Sequence, residues 1–133
     1  MSGPGGRVLV ADDDDSIRTW IGIELARQGI DADFAASGDE VLRKIRTEPY
    51  ATILLDLLMP GMNGFEVLRE IKALHAALLS RIIVLTGASE STVRGVEKGD
   101  IFGLLQKPVG RDELVRIVTD CMNGRRPPER SSR

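Results

Sequence analysis

Five polar residues follow short apolar runs, and their side chains could do chemistry together. Asp12 and Asp13 come after RVLVA, Asp56 ends YATILLD, Thr86 follows IIVL, and Lys107 follows FGLLQ. If these runs are parallel strands, their carboxyl ends share one edge of a sheet, where open α/β sheets bind ligands. The sequence therefore predicts three carboxylates, one hydroxyl and one ammonium group in one site.

Three carboxylates in one pocket repel one another, so this site requires a cation. An all-oxygen ligand set favours Mg²⁺ over zinc, and Mg²⁺ held by few protein oxygens keeps positions that phosphate oxygens fill. Lys107 and Thr86 would then neutralise and hydrogen-bond a phosphoryl group. Asp56, at the end of a central strand, is best placed to accept that group as an acyl phosphate.

The elements that position these residues alternate along the chain between apolar runs and amphipathic segments. Strands are predicted at residues 7–11, 31–36, 50–56, 81–87 and 102–108. Helices are predicted at residues 16–29, 38–48, 65–77, 89–99 and 111–123. Continuous apolar runs such as TILL and IIVL are typical of strands covered on both faces. We therefore predict an α/β fold with a five-stranded parallel sheet and helices on both faces.

Length and composition bound the domain organisation, the binding partners and the location of the protein. The 133 residues suggest one domain over 7–123, with a flexible N-terminus at 1–6 and a flexible tail or linker stub at 124–133. The net charge of −2 favours neither nucleic acid nor an anionic membrane. A single cysteine, the lack of a signal peptide and the lack of a long apolar stretch predict a cytoplasmic location.

Four motifs occur in order, each at the end of a predicted strand. They are VLVADDD (8–14), LLDLLMPGMNG (54–64), IIVLTGA (82–88) and LLQKP (104–108). With them, the chain resembles the CheY-like receiver domain of two-component response regulators over roughly residues 7–123. The resemblance implies a flavodoxin-like, doubly wound sheet of order 2-1-3-4-5. It also implies a phosphorylation-dependent switch that regulates a downstream protein or an output domain.

The resemblance assigns a role to each site residue. Asp56 would accept the phosphoryl group from a histidine kinase or phosphotransfer protein in a Mg²⁺-dependent reaction. Such a domain catalyses only its own phosphorylation and dephosphorylation. Thr86 and Lys107 would contact the phosphoryl group, and the Lys107–Pro108 peptide is similar to one that is often cis. The metal ligands would be Asp13, Asp12 through a water, Asp56 and the backbone carbonyl of Leu58.

Some positions depart from the pattern of the family. Leu104 stands where many receivers carry a switch aromatic, and strand alternation predicts Phe102 on the same side as Leu104. Leu58 and Ala88 are both apolar, which predicts slow self-dephosphorylation. Gly87 is expected to loosen the loop after Thr86. A further glycine, at position 95, is expected to weaken the predicted helix 89–99.

Two other functions stay open from the residues alone. Asp12-x-Asp14 after a strand also fits a haloacid-dehalogenase-like phosphatase that uses Asp12 as its nucleophile. A flavodoxin-like nucleotide or flavin binder needs a phosphate loop after the first strand, where four aspartates would repel such a ligand. The aspartate run also suits a helix N-terminus, with Asp14 or Asp15 as its cap.

Overall fold

The computed structural model of the chain describes residues 6–87 and 100–125. It contains a five-stranded parallel sheet with the order β2-β1-β3-β4-β5. The strands are β1 (Arg7–Ala11), β2 (Ala32–Ala35), β3 (Tyr50–Asp56), β4 (Ile82–Thr86) and β5 (Gly103–Gln106). The helices are α1 (Asp15–Arg27), α2 (Gly38–Thr47), α3 (Gly64–His75) and α4 (Arg111–Met122), and a 3₁₀ segment follows α3 at Ala76–Arg81. This topology confirms the predicted fold class.

Strand alternation produces two apolar layers, one on each face of the sheet. Leu9, Ile53 and Val84 point into a layer that is covered by α2 and α3. Their neighbours in sequence point into the opposite layer, which is covered by α1 and α4. Because both faces are covered, β1, β3 and β4 carry apolar side chains on both faces, as the sequence predicted.

Side-chain caps fix where three of the helices begin. Asp14 accepts hydrogen bonds from the backbone N–H groups of Ser16 and Ile17 at the start of α1. Ser37 caps α2, and Asn63 forms a capping box with Glu66 at the start of α3. The cap of α1 lies at the end of the loop after β1, which contains Asp12, and the cap of α3 lies at the end of the loop that follows Asp56.

The prediction for Phe102 was wrong. Leu104 packs in the layer of α2 and α3, whereas Phe102 packs in the layer of α1 and α4. The period-two alternation applies only within a strand, and β5 begins at Gly103. Phe102 precedes the strand, where its backbone N–H donates to the carbonyl of Ile82 at 2.8 Å.

Several predictions fall outside the part of the chain that the structure describes. They concern the helix 89–99 with its glycine at position 95, the rim residue Ala88, and residues 1–5 and 126–133. Among the described residues, no helix is long and apolar enough to cross a membrane. The observed helices and strands otherwise differ from the predicted ones by a few residues at their ends.

Candidate functional site

The register of the sheet brings the predicted site residues to one edge. Ala11 of β1 lies opposite Leu55 of β3, so Asp12 and Asp56 follow at the same level. Asp56 lies opposite Leu85, and Thr86 is the next residue on β4. Lys107 follows the end of β5, and its backbone N–H donates to the carbonyl of Thr86 at 2.8 Å. The carboxyl edge of the three central strands and β5 therefore carries the site.

Lys107 bridges two buried carboxylates. Its Nζ lies 2.8 Å from Oδ2 of Asp12 and 3.3 Å from Oδ2 of Asp56. The side chain of Asp12 is fully buried, that of Asp56 is 4% exposed, and that of Lys107 is 22% exposed. Side chains at the carboxyl ends of β1, β3 and β5 are therefore in direct contact.

A third carboxylate, from the exposed residue Asp13, completes an acidic cluster. One oxygen from each of Asp12, Asp13 and Asp56 lies within 4.8 Å of the others. Oxygens that bind one octahedral Mg²⁺ at 2.0–2.1 Å are separated by about 3–4 Å, so small side-chain adjustments suffice. Three carboxylates against one ammonium leave an excess of negative charge, and hard oxygen donors suit Mg²⁺. The donor set therefore fits a magnesium ion.

The charge on Asp56 is only partly compensated. Burial raises its pKa, the backbone N–H of Leu58 lowers it, and the neighbouring charge of Asp12 raises it again. Lys107 lowers the pKa, but the net result is a value of about 6, against an ordinary value of 3.8. The carboxylate is therefore ionised and nucleophilic at neutral pH, yet it stands in an environment that favours added positive charge.

The loop after β3 lies against the backbone of Asp56. The N–H of Leu58 donates to Oδ1 of Asp56 at 3.1 Å, while the Leu58 side chain is 54% exposed at the rim. At the start of α3, a Cβ on Gly64 would lie 2.6 Å from the carbonyl oxygen of Asp56. Only glycine allows this close approach, which explains the glycine that ends the motif LLDLLMPGMNG.

The loop after β1 is held from within. Oδ1 of Asp12 accepts a hydrogen bond from the N–H of Asp14 at 2.9 Å. Nη1 of Arg18 donates to the backbone carbonyl of Asp12 at 2.6 Å, and Nη2 pairs with the carboxylate of Asp15. The reasoning from sequence missed Arg18. The available signal was the spacing of Asp15 and Arg18, which places opposite charges on one helix face.

Three further predicted features can be located. The side chain of Thr86 is buried at the end of β4. The Lys107–Pro108 peptide is cis, as the resemblance implied. Leu104, at the position of the switch aromatic, is half-buried. Its aliphatic side chain packs against the apolar layer of α2 and α3.

Comparison with known proteins decides between the readings of this site. The family model for the response regulator receiver domain matches residues 8–119. The chain belongs to the response regulator receiver domain family. It is therefore a regulatory phosphoacceptor domain of two-component systems, and the predicted resemblance and function are confirmed. The match does not favour the haloacid-dehalogenase-like alternative.

Individual relatives agree with this assignment. The transcriptional regulatory protein ResD of Bacillus subtilis is 40% identical over 113 residues, which cover 84% of this chain and 46% of ResD. AfsQ1 of Streptomyces coelicolor is 38% identical over 115 residues, covering 84% of this chain and 50% of that protein. The chain spans between about a quarter and a half of the length of the curated relatives it matches.

Solved structures of receivers are matched over nearly their whole length. The response regulator TrrA of Thermotoga maritima, solved in complex with Mg²⁺-BeF, is 32% identical with a TM-score of 0.77. The match covers 87% of this chain and 98% of that one. The described part of this domain therefore shares the architecture of CheY-like receivers.

Proposed function

We propose that Asp56 is the residue that accepts the phosphoryl group. The observation that supports this most directly is its position 3.3 Å from Nζ of Lys107 and within the acidic cluster of Asp12 and Asp13. A carboxylate with a pKa of about 6 is ionised at neutral pH and can attack phosphorus. Asp12 is the poorer nucleophile, because it is fully buried under Lys107.

The reaction transfers one phosphoryl group. A carboxylate oxygen of Asp56 attacks the phosphorus of the donor, and the bond between phosphorus and the donor's nitrogen or oxygen breaks. The bonding electrons leave with the donor group, which takes up a proton if it is an imidazole. The product on Asp56 is an acyl phosphate. Lys107, released from part of its contact with the carboxylates, pairs with the new phosphoryl oxygens.

We propose that Asp13, Asp56, the backbone carbonyl of Leu58 and, through a water, Asp12 hold Mg²⁺. An ion held by these residues would supply positive charge that offsets the charge of the transferred group. The clustered oxygens support this set, and so does the related TrrA structure, which contains Mg²⁺ together with BeF. The domain would in this way catalyse its own phosphorylation and dephosphorylation, and no other reaction.

The switch would begin at Thr86, which hydrogen-bonds the phosphoryl group and biases an existing conformational equilibrium. Leu104 has no aromatic ring that could rotate between buried and exposed positions, and its aliphatic side chain lies half-buried against the core. We therefore propose that the response is transmitted by a different element. Slow self-dephosphorylation is proposed as well, because the exposed side chain of Leu58 cannot orient a water by hydrogen bonding.

The proposed donor is a histidine kinase or a phosphotransfer protein. The proposed target is a downstream protein or an output domain in the same polypeptide, since the curated relatives are two to four times longer than the matched region. Several of those relatives are named transcriptional regulatory proteins of bacteria, and bacterial DNA lies in the cytoplasm. This supports a cytoplasmic location. The net charge of −2 supports the proposal that this domain itself binds neither nucleic acid nor a membrane.

The test is intact-mass spectrometry after incubation with Mg²⁺ and a small acyl phosphate donor, on the wild type and Asp56→Asn. We expect one phosphoryl adduct in the wild type that requires Mg²⁺, and none in the variant. An adduct that persists in Asp56→Asn would contradict the assignment and move the nucleophile to another residue. In the same samples, a phosphoryl lifetime of only seconds would contradict slow self-dephosphorylation.

A further inference from the structure

Arg18 is a cation beside the acidic cluster, and the roles described above do not use it. It lies one turn into α1 with its side chain 20% exposed. Its guanidinium donates to the backbone carbonyl of Asp12 at 2.6 Å and pairs with the carboxylate of Asp15. One side chain therefore ties together the first and last residues of the four-aspartate run.

We propose that Arg18 is a positioning residue for the magnesium site. It holds the backbone of residues 12–15 in the geometry that places the metal-binding carboxylates. The inference rests on the proposed function, because it concerns the same ion. It assigns to Arg18 no contact with the metal or with the phosphoryl group.

The contacts of Asp12 explain why this tie matters. Oδ1 accepts from the N–H of Asp14 at 2.9 Å, and Oδ2 lies 2.8 Å from Nζ of Lys107. The backbone N–H donates to the carbonyl of Ala35 at 3.1 Å, and the backbone carbonyl oxygen accepts from Arg18 at 2.6 Å. Lys107 is the anchor that a phosphoryl group would draw away. Once it moves, the carbonyl contact of Arg18 and the turn to Asp14 keep Asp12 in place.

Two effects of Arg18 on Mg²⁺ binding have opposite signs. A positive charge near the site weakens cation binding, whereas an ordered loop strengthens it. The charge of Arg18 is paired with Asp15, which reduces its reach. Mg²⁺ requires near-ideal octahedral geometry, so a disordered loop would lower the Mg²⁺ affinity strongly. We therefore expect order to dominate.

The fork of the guanidinium is what allows both contacts. Arginine presents several donors in a fixed plane, so it can serve the Asp12 carbonyl and the Asp15 carboxylate at once. A lysine carries the same charge on a compact point donor and cannot hold both acceptors in this geometry. Arg18→Lys thus keeps the charge and removes the tie, while Arg18→Gln removes both.

The experiment measures Mg²⁺ affinity of the full 133-residue chain by isothermal titration calorimetry, with no phosphodonor present. The variants are Arg18→Lys and Arg18→Gln. The matched control is Arg27→Gln, because Arg27 is exposed in the last turn of the same helix. Loss of a residue that orients metal ligands typically weakens affinity by 10–100-fold. We expect about tenfold weaker binding in both Arg18 variants and no change in the control.

A second readout separates positioning from general stability. If Arg18 acts on the metal site, raising the Mg²⁺ concentration restores the rate of adduct formation in Arg18→Lys. Thermal unfolding without Mg²⁺ shows whether each variant is folded. If Arg18→Gln is unfolded, the Mg²⁺ affinity of Arg18→Lys alone tests the inference.

Two outcomes would overturn the inference. Tighter Mg²⁺ binding in Arg18→Gln with unchanged binding in Arg18→Lys would mean that Arg18 acts by charge alone. A lower melting temperature with unchanged Mg²⁺ affinity would mean a structural role only. Failure of the wild type to bind Mg²⁺ would instead contradict the proposed function, so the two failures are distinguishable.

Discussion

The two edges of the sheet each hold a carboxylate with polar partners, but the pKa of the two carboxylates is shifted in opposite directions. Near the amino edge, Asp33 accepts hydrogen bonds from Nη2 of Arg7 at 2.6 Å and from the hydroxyl of Tyr50 at 2.7 Å. These donors outweigh the effect of burial, and the pKa of Asp33 is lowered. At the carboxyl edge, burial and Asp12 outweigh Leu58 and Lys107, and the pKa of Asp56 is raised to about 6.

This difference separates a structural carboxylate from a functional one. Asp33 has fixed donors on both oxygens, so it needs no further ligand. Asp56 shares a single ammonium with Asp12 and keeps an excess of negative charge around it. The amino edge is therefore a closed network that stabilises the fold, while the carboxyl edge is incomplete without a cation.

The largest effect is expected from Gly64→Ala at the carboxyl edge. The new Cβ would lie 2.5 Å from Cα of Leu57 and 2.6 Å from the carbonyl oxygen of Asp56. Backbone atoms cannot yield as side chains do, so we expect the free energy of unfolding to fall by about 3 kcal/mol. Urea denaturation measures this change. A loss below about 1 kcal/mol would mean that the loop relaxes easily and that the site is not held by this contact.

Asp56→Asn should make the Mg²⁺-free domain more stable at pH 8. Because the folded pKa is about 6 and the ordinary value is 3.8, the stability contributed by this group is complete below pH 3.8 and is lost as the pH rises to 6. Asparagine avoids this loss. We expect a gain of about 1–2 kcal/mol at pH 8.

The pH dependence supplies the control for this prediction. The advantage of Asp56→Asn over the wild type should shrink as the pH falls from 6 to 3.8, when Asp56 becomes protonated. Asp33 acts with the opposite sign: its lowered pKa contributes stability that is lost as the pH falls below 3.8. Equal or lower stability of Asp56→Asn at pH 8 would contradict the idea of an under-compensated site.

Tyr50→Phe should weaken the amino edge without touching the other one. It removes the hydrogen bond from the buried Tyr50 hydroxyl to Asp33 but keeps the ring in its layer of the core. We expect the free energy of unfolding to fall by about 1 kcal/mol, with Mg²⁺ affinity and phosphorylation unchanged. Calorimetric unfolding and a Mg²⁺ titration on the same sample measure both. Altered Mg²⁺ binding would show that the two edges are coupled.

The sequence predicted the carboxyl edge better than the amino edge for a physical reason. Asp56 and Lys107 each end an apolar run, and strand ends in a parallel sheet share an edge whatever the details of packing. The network of Arg7, Asp33 and Tyr50 depends on the strand order and on which face each side chain takes. The residues alone did not supply that order, which came from the resemblance.

Contacts that depend on distances of a few tenths of an ångström were out of reach. The position of Gly64 in the sequence does not reveal that a Cβ added to it would lie 2.5 Å from Cα of Leu57. The carbonyl that Arg18 binds could not be predicted either, because it depends on the turn made by residues 12–15. Phe102 was misplaced because β5 begins one residue later than the apolar pattern indicates.

The smallest effect is expected from Gly87→Ala, the matched control for Gly64→Ala. A Cβ on Gly87 would lie 3.9 Å from Cβ and Cδ of Lys107, an ordinary contact, and its φ is not positive. Alanine therefore fits against the described residues, and it restricts the unfolded chain, so we expect a gain of about 0.4–1 kcal/mol with phosphorylation retained. Denaturation and intact-mass measurements test this. If Gly87→Ala instead slowed adduct formation tenfold, the freedom of Gly87 itself would be part of the switch. The carboxyl edge would then depend on backbone mobility as well as on unbalanced charge.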